Sequence, residues 1–202
     1  MGATLALALA ARSRSLSSIV LLSPVLHYDG WSIPWYRGLL ALACRLGFRN
    51  WTYKECDPYG IKNPAMRRRV ANALKKDGVA AVGAAELPAG HLLAAQRLMR
   101  HARRHLPRVQ ARTLVIHSVD DETASPRGAE AILKHIASDT RRAIWLGDCY
   151  HIITVDNERE IVTNEAAQFL LRDGSGGKDL PRTAHLVKLP LKDRRLPQSA
   201  AA

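Results

Sequence analysis

The sequence predicts an α/β protein built on a short parallel sheet, and three observations carry that expectation. Ser18-Ile19-Val20-Leu21-Leu22-Ser23 is a continuous apolar run closed by Pro24, the pattern of a strand buried on both faces. The same pattern recurs at Thr113-Leu114-Val115-Ile116-His117-Ser118 and, more weakly, at Arg142-Ala143-Ile144-Trp145-Leu146. Each run is paired with a helical stretch, at 2–13, about 127–138 and about 157–171, and strands alternating with helices of this length form βαβ units.

The opening stretch, MGATLALALAARSRS, reads as the first of these helices. A secretory leader places positive charge ahead of its apolar core, whereas Arg12 and Arg14 follow the run. Myristoylation asks for Ser or Thr at the sixth position, where Ala6 stands. The run is also too short for a bilayer, which needs about 20 apolar residues. Its all-round apolarity predicts a helix buried on every face.

Residues 24–110 separate the first two strands. Helical periodicity at 35–46, 64–77 and 87–105 is broken by Pro34, Gly47, Pro58, Gly60, Pro64, Gly78 and Pro88. So long an excursion predicts a helical cap or lid. The organisation expected is therefore 1–23 as opening helix and first core strand, 24–110 as cap insertion, 111–172 as C-terminal core, and 173–202 as a disordered basic tail.

At 202 residues the length suits one domain with a real core. Three cysteines, Cys44, Cys56 and Cys149, form neither an even set nor a C-x-x-C spacing, which favours free thiols and a reducing, cytoplasmic setting. Asp148, Cys149 and His151 lack further clustered ligands, so neither a metal nor another cofactor is expected. The formal net charge of +12 raises a nucleic-acid reading, resting on Arg67-Arg68-Arg69, Lys75-Lys76 and the basic run 100–105. No nucleic-acid-binding motif accompanies them, and periodic basic residues are read here as solvated helix faces, so no nucleic-acid partner is expected.

The residues that carry chemistry follow the second and third strands. In T-L-V-I-H-S-V-D-D-E-T-A-S-P (113–126) acidic residues follow a buried strand at once, at the carboxyl edge where open α/β sheets build their sites. In G-D-C-Y-H-I-I-T-V-D-N-E (147–158) a histidine follows the next strand end on the same edge. An aspartate and a histidine so placed can meet: the carboxylate fixes the imidazole tautomer and leaves the other ring nitrogen as a general base.

These loops resemble those of the α/β-hydrolase fold, in particular bacterial carboxylesterases and monoacylglycerol-lipase-like hydrolases of the serine aminopeptidase group. The acid loop of that group looks like D-x-x-x-x-P, matched by Asp121 and Pro126, with Asp120 as the rival. Its histidine loop looks like H-[VI]-I-T-x-D, matched by His151 to Asp156. The resemblance covers about 1–172 and implies Asp121 and His151 as catalytic acid and base. It also implies that the opening helix follows the G-x-S-x-G nucleophile elbow, with Met1 next after the serine and its backbone nitrogen in the oxyanion hole. The serine itself would precede Met1. Ser15, Ser17 and Ser18 lie in no elbow, and Ser23 lies on the right edge without a glycine turn.

The resemblance thus implies the C-terminal half of a serine esterase or lipase, its substrate a small carboxylic ester. The chain as given would be inactive; a non-catalytic pseudo-enzyme or scaffold is the competing reading. Trp31, Trp35 and Tyr36 are candidates for the acyl pocket, with Trp51 alongside, although a place in the cap core is the favoured reading for each.

Overall fold

The computed structural model describes residues 1–34, 38–47, 52–54, 56–77, 79–80, 83–84 and 86–171. Three parallel strands form the central sheet: β1 (Ser18–Leu22), β6 (Arg112–Ser118) and β7 (Arg141–Leu146), in the order β1-β6-β7. Register runs from Ser18 opposite Arg112 to Leu22 opposite Ile116, and from Thr113 opposite Arg141 to Ser118 opposite Leu146. All three strands therefore end on one edge. The central strand β6 is buried over six of its seven residues, which is why its sequence reads as an unbroken apolar run.

Helices cover both faces. On one side α1 (Gly2–Ala10), α4 (Ala89–His105) and α5 (Pro126–His135) pack Leu7, Ala102, Ala129 and Ile132 against Ile19, Leu21 and Val115. On the other, α6 (Arg159–Leu171) sets Val162 and Phe169 against Leu114, Ile116 and Leu146. The alternation of Leu114, Val115 and Ile116 between the two clusters is the period-2 pleat of the strand.

The opening helix differs from the sequence reading in length and burial. It ends at Ala10, and only Thr4, Leu7, Ala8 and Ala10 are buried. Met1, Leu5 and Leu9, spaced by four residues, form an exposed apolar stripe, with Leu5 59 % and Leu9 55 % exposed. The reason is one-sided support: α1 packs against α4 and β1, and nothing among the described residues covers its opposite face. On the same flank β1 has β6 as its one strand neighbour among the described residues.

The insertion is less purely helical than its periodicity predicts. It holds α2 (Leu40–Arg45) and α3 (Pro64–Asp77), but also two small antiparallel pairs. These are β2 (Thr52–Lys54) with β5 (Glu86–Pro88), and β3 (Val79–Ala80) with β4 (Gly83–Ala84). Strands of two or three residues leave too short a pattern to stand out from loop sequence. Residues 173–202 lie outside the described residues, as do Trp35, Tyr36 and Trp51.

Candidate active site

The acid loop begins where β6 ends. Asp121 is buried, and its Oδ1 accepts hydrogen bonds from the backbone N–H of Thr123 and of Ala124, each at 2.8 Å. Pro126 then starts α5 at a position where its missing N–H costs nothing. The carboxylate of Asp29, in the loop after β1, accepts from Ser125 N at 2.9 Å and Ser125 Oγ at 2.6 Å, placing negative charge at the start of α5. Gly30 fastens the same loop to the acid loop. A Cβ there would stand 2.1 Å from the Glu122 carbonyl oxygen, so only glycine permits this approach.

His151 reaches the acid loop from the turn after β7. Its Nδ1 lies 2.7 Å from Asp121 Oδ2, and its backbone N–H donates to Glu122 Oε2 at 3.0 Å. A carboxylate accepts, so the proton sits on Nδ1 and the Nε2 lone pair is left as the basic position. Burial pushes the His151 imidazole down, but the hydrogen bond and charge of Asp121, with the charge of Glu122, carry it above its ordinary value. Burial likewise pushes Asp121 up, and the hydrogen bond and charge of His151 more than offset it, holding the carboxyl below its usual range. For Glu122 burial, and then the neighbouring Asp121 charge, outweigh the lowering influence of His151 and raise it.

Of Asp121, which the acid-loop motif favours, and its rival Asp120, the structure brings Asp121 to the histidine. Asp120 turns outward to Lys62 Nζ at 3.3 Å, and the same ammonium reaches Asp148 at 3.4 Å. Trp31 is 60 % exposed, donates from Nε1 to the Asp120 carbonyl at 3.1 Å and packs edge-on against Tyr150. It lies over the acid and histidine loops rather than in a cap core. Met1 forms the N-cap of α1, and its amino charge weighs against protonation of His151. Ser23 is buried with φ 42 and its hydroxyl lacks a partner, yet no serine hydroxyl hydrogen-bonds to His151 among the described residues. Cys149 is buried, and burial pushes its thiol up to about 12, which fits a packing residue rather than a nucleophile or ligand.

Three supporting residues escaped the sequence reading as such. Ser118 Oγ donates to the Cys149 carbonyl at 2.5 Å and accepts from Asp120 N at 3.1 Å, joining the two strand-end loops. Fully buried His117 donates from Nε2 to the Ala124 carbonyl at 3.0 Å, 3.6 Å from Asp121; burial lowers its pKa and keeps it neutral. Asp156, also fully buried, accepts from four backbone N–H groups: Lys62 at 2.7 Å, Asn63 at 2.8 Å, Tyr150 at 2.9 Å and Asn157 at 3.0 Å. It therefore ties the histidine loop to the chain entering α3. The histidine-loop motif marked Asp156 as a position, but two of its partners, Lys62 and Asn63, are 94 and 93 residues away in sequence and carry no local signal.

An aspartate and a histidine paired across adjacent carboxyl ends of a parallel sheet, with helices on both faces, define the α/β-hydrolase class. The chain belongs to the family described as serine aminopeptidase, S33, which it matches over residues 1–159. A thermostable monoacylglycerol lipase from a Bacillus species is 24 % identical over 113 residues, covering 56 % of this chain and 45 % of that protein. A carboxylesterase of Bacillus subtilis is 26 % identical over 83 residues, 41 % of this chain and 34 % of that one. The solved monoacylglycerol lipase of Paleococcus ferrophilus superposes with a TM-score of 0.70 at 18 % identity, over 85 % of this chain and 65 % of the other. A structure of metagenome-derived lipolytic enzymes gives 0.68 at 22 % identity, over 85 % and 62 %. The chain thus spans less than half of the curated relatives it matches, and under two thirds of these solved folds. Among the described residues no helix is long and apolar enough to cross a membrane.

Proposed function

We propose that this chain supplies the acid and base of a carboxylic-ester hydrolase, with Asp121 orienting His151 and His151 Nε2 serving as base and then acid. The observation that carries the reading is the 2.7 Å contact between a buried aspartate and a histidine whose other ring nitrogen is left open at the carboxyl edge. The nucleophilic serine and the rest of the oxyanion hole belong, in this proposal, to sequence outside these 202 residues that pairs with the open edge of β1. The Met1 backbone nitrogen takes the place of the residue after that serine and contributes to the hole. The part of residues 24–110 that precedes α4 acts as cap over the acyl group, with Trp31 at its rim, whereas α4 packs with α1 on one face of the sheet. The ester-cleaving relatives support this assignment, and the substrate class proposed is a small carboxylic ester.

In a hydrolase triad, loss of the nucleophile costs about 10⁶-fold in turnover. The 202-residue chain is therefore expected to hydrolyse p-nitrophenyl butyrate no faster than its Asp121→Ala/His151→Ala variant, and to resist fluorophosphonate labelling. Stoichiometric labelling of Ser23 or another internal serine would overturn the placement of the nucleophile outside the chain. Joined to a segment carrying G-x-S and its strand, the chain is expected to gain an activity that His151→Ala abolishes.

A further inference from the structure

A second cluster of chemistry lies apart from the Asp121–His151 pair and shares no residue with it. Between the loop after β1 and the face of α4 is a cavity of about 210 Å³. Gln96, Arg100 and Arg103, spaced by four and three residues, lie along one face of α4 and line it together with His27. Its floor is apolar, formed by the buried Leu26 and Met99. The Arg103 guanidinium donates through Nη1 to His27 Nε2, because a guanidinium has no lone pair to accept with. Among the described residues no carboxylate lines the cavity, and α4 holds no acidic residue in any of its 17 positions. Arg100 has no ion-pair partner among the described residues.

Two guanidinium groups beside an imidazole present more positive charge than one carboxylate would balance. Planar guanidinium forks match phosphate oxygens two at a time. The apolar floor beyond these groups gives room for an organic substituent. We infer that this cavity binds a phosphate monoester group, held by Arg100 and Arg103, with its substituent against Leu26 and Met99. The inference is independent of the ester-hydrolase reading.

Equilibrium dialysis of radiolabelled phenyl phosphate tests it and reads binding whatever the state of association of the chain. Three proteins are compared: the unaltered chain, Arg100→Gln/Arg103→Gln, and Arg68→Gln, a charge control on the exposed face of α3. Saturable binding is expected, weakened at least about tenfold in the double variant and unchanged in Arg68→Gln. Inorganic phosphate is expected to compete more weakly than phenyl phosphate, and benzoate not at all. In the unaltered chain, phenyl phosphate is expected to shift the Met99 methyl and Gln96 amide resonances, a readout that needs no variant. Co-sedimentation with phosphatidic-acid vesicles separates the two sources of the group. Competition by phenyl phosphate at matched phosphate concentration assigns a soluble monoester, and vesicle binding that it cannot displace assigns a lipid headgroup. No saturable binding to either probe, or equal weakening in Arg68→Gln, would overturn the inference, because the cations would then act only through net charge.

Discussion

Replacing Asp156 by Asn keeps the shape of the side chain and removes half of its accepting capacity. In the native site Oδ2 accepts from Lys62 N and Tyr150 N, and Oδ1 from Asn63 N and Asn157 N. An amide has one oxygen, so in either orientation its NH₂ faces two N–H donors. The less costly orientation keeps Lys62 and Tyr150 and gives up Asn63 and Asn157, since Asn157 is exposed and its N–H can turn to water. A hydrogen bond to a charged group is worth about 1.5–3 kcal/mol net. One such bond is lost outright at half-buried Asn63, a second is weakened at Asn157, and the buried NH₂ finds no acceptor. Together these cost about 3 kcal/mol, a large share of a typical domain's about 5–15 kcal/mol. Urea unfolding is expected to show this as a lowered midpoint at unchanged slope. Native-state hydrogen exchange is expected to accelerate at both ends of the tie, the chain around 60–63 and the loop 147–157. A loss below about 1 kcal/mol, or acceleration confined to one end, would refute the view that this carboxylate couples the insertion to the histidine loop.

Gly30→Ala drives a Cβ to 2.1 Å from the Glu122 carbonyl, a clash with backbone that cannot rotate away, and is expected to destabilise by more than about 3 kcal/mol in urea unfolding. Asp121→Asn removes the influence that raises His151, so the imidazole C2–H resonance is expected to titrate at lower pH; an unchanged titration would count against the pairing. The pair also shapes stability against pH. Asp121, depressed when folded, stabilises above its unfolded value of 3.8 and loses this as pH falls; His151, raised when folded, stabilises below 6.5 and loses this as pH rises through its folded value. Their joint contribution is largest between those two values, and Asp121→Asn is expected to flatten the profile there. Finally, the open β1 edge beside the Met1, Leu5, Leu9 stripe is expected to make the isolated chain self-associate on gel filtration, and Leu5→Lys/Leu9→Lys to reduce this. A monomer with a single sharp melting transition would show instead that these three strands form a self-sufficient unit.

The sequence by itself determined the three strands of the central sheet and the two loops that carry the aspartate–histidine pair. Those features are local: an apolar run at 113–118 and acids directly after it report their own environment without reference to distant residues. The preference for Asp121 over Asp120 came from the family resemblance, whose acid loop has the pattern D-x-x-x-x-P that Asp121 and Pro126 match. Only the tertiary structure decided which buried polar groups hold that pair. Asp156 meets Lys62 and Asn63, Ser118 meets Cys149, and Gly30 meets Glu122 across long separations in sequence, and nothing in the flanking residues records those partners. The same holds for burial of the opening helix. Apolarity at Leu5 and Leu9 states that a helix can be covered, whereas whether it is covered depends on what packs beside it, which a residue pattern does not contain.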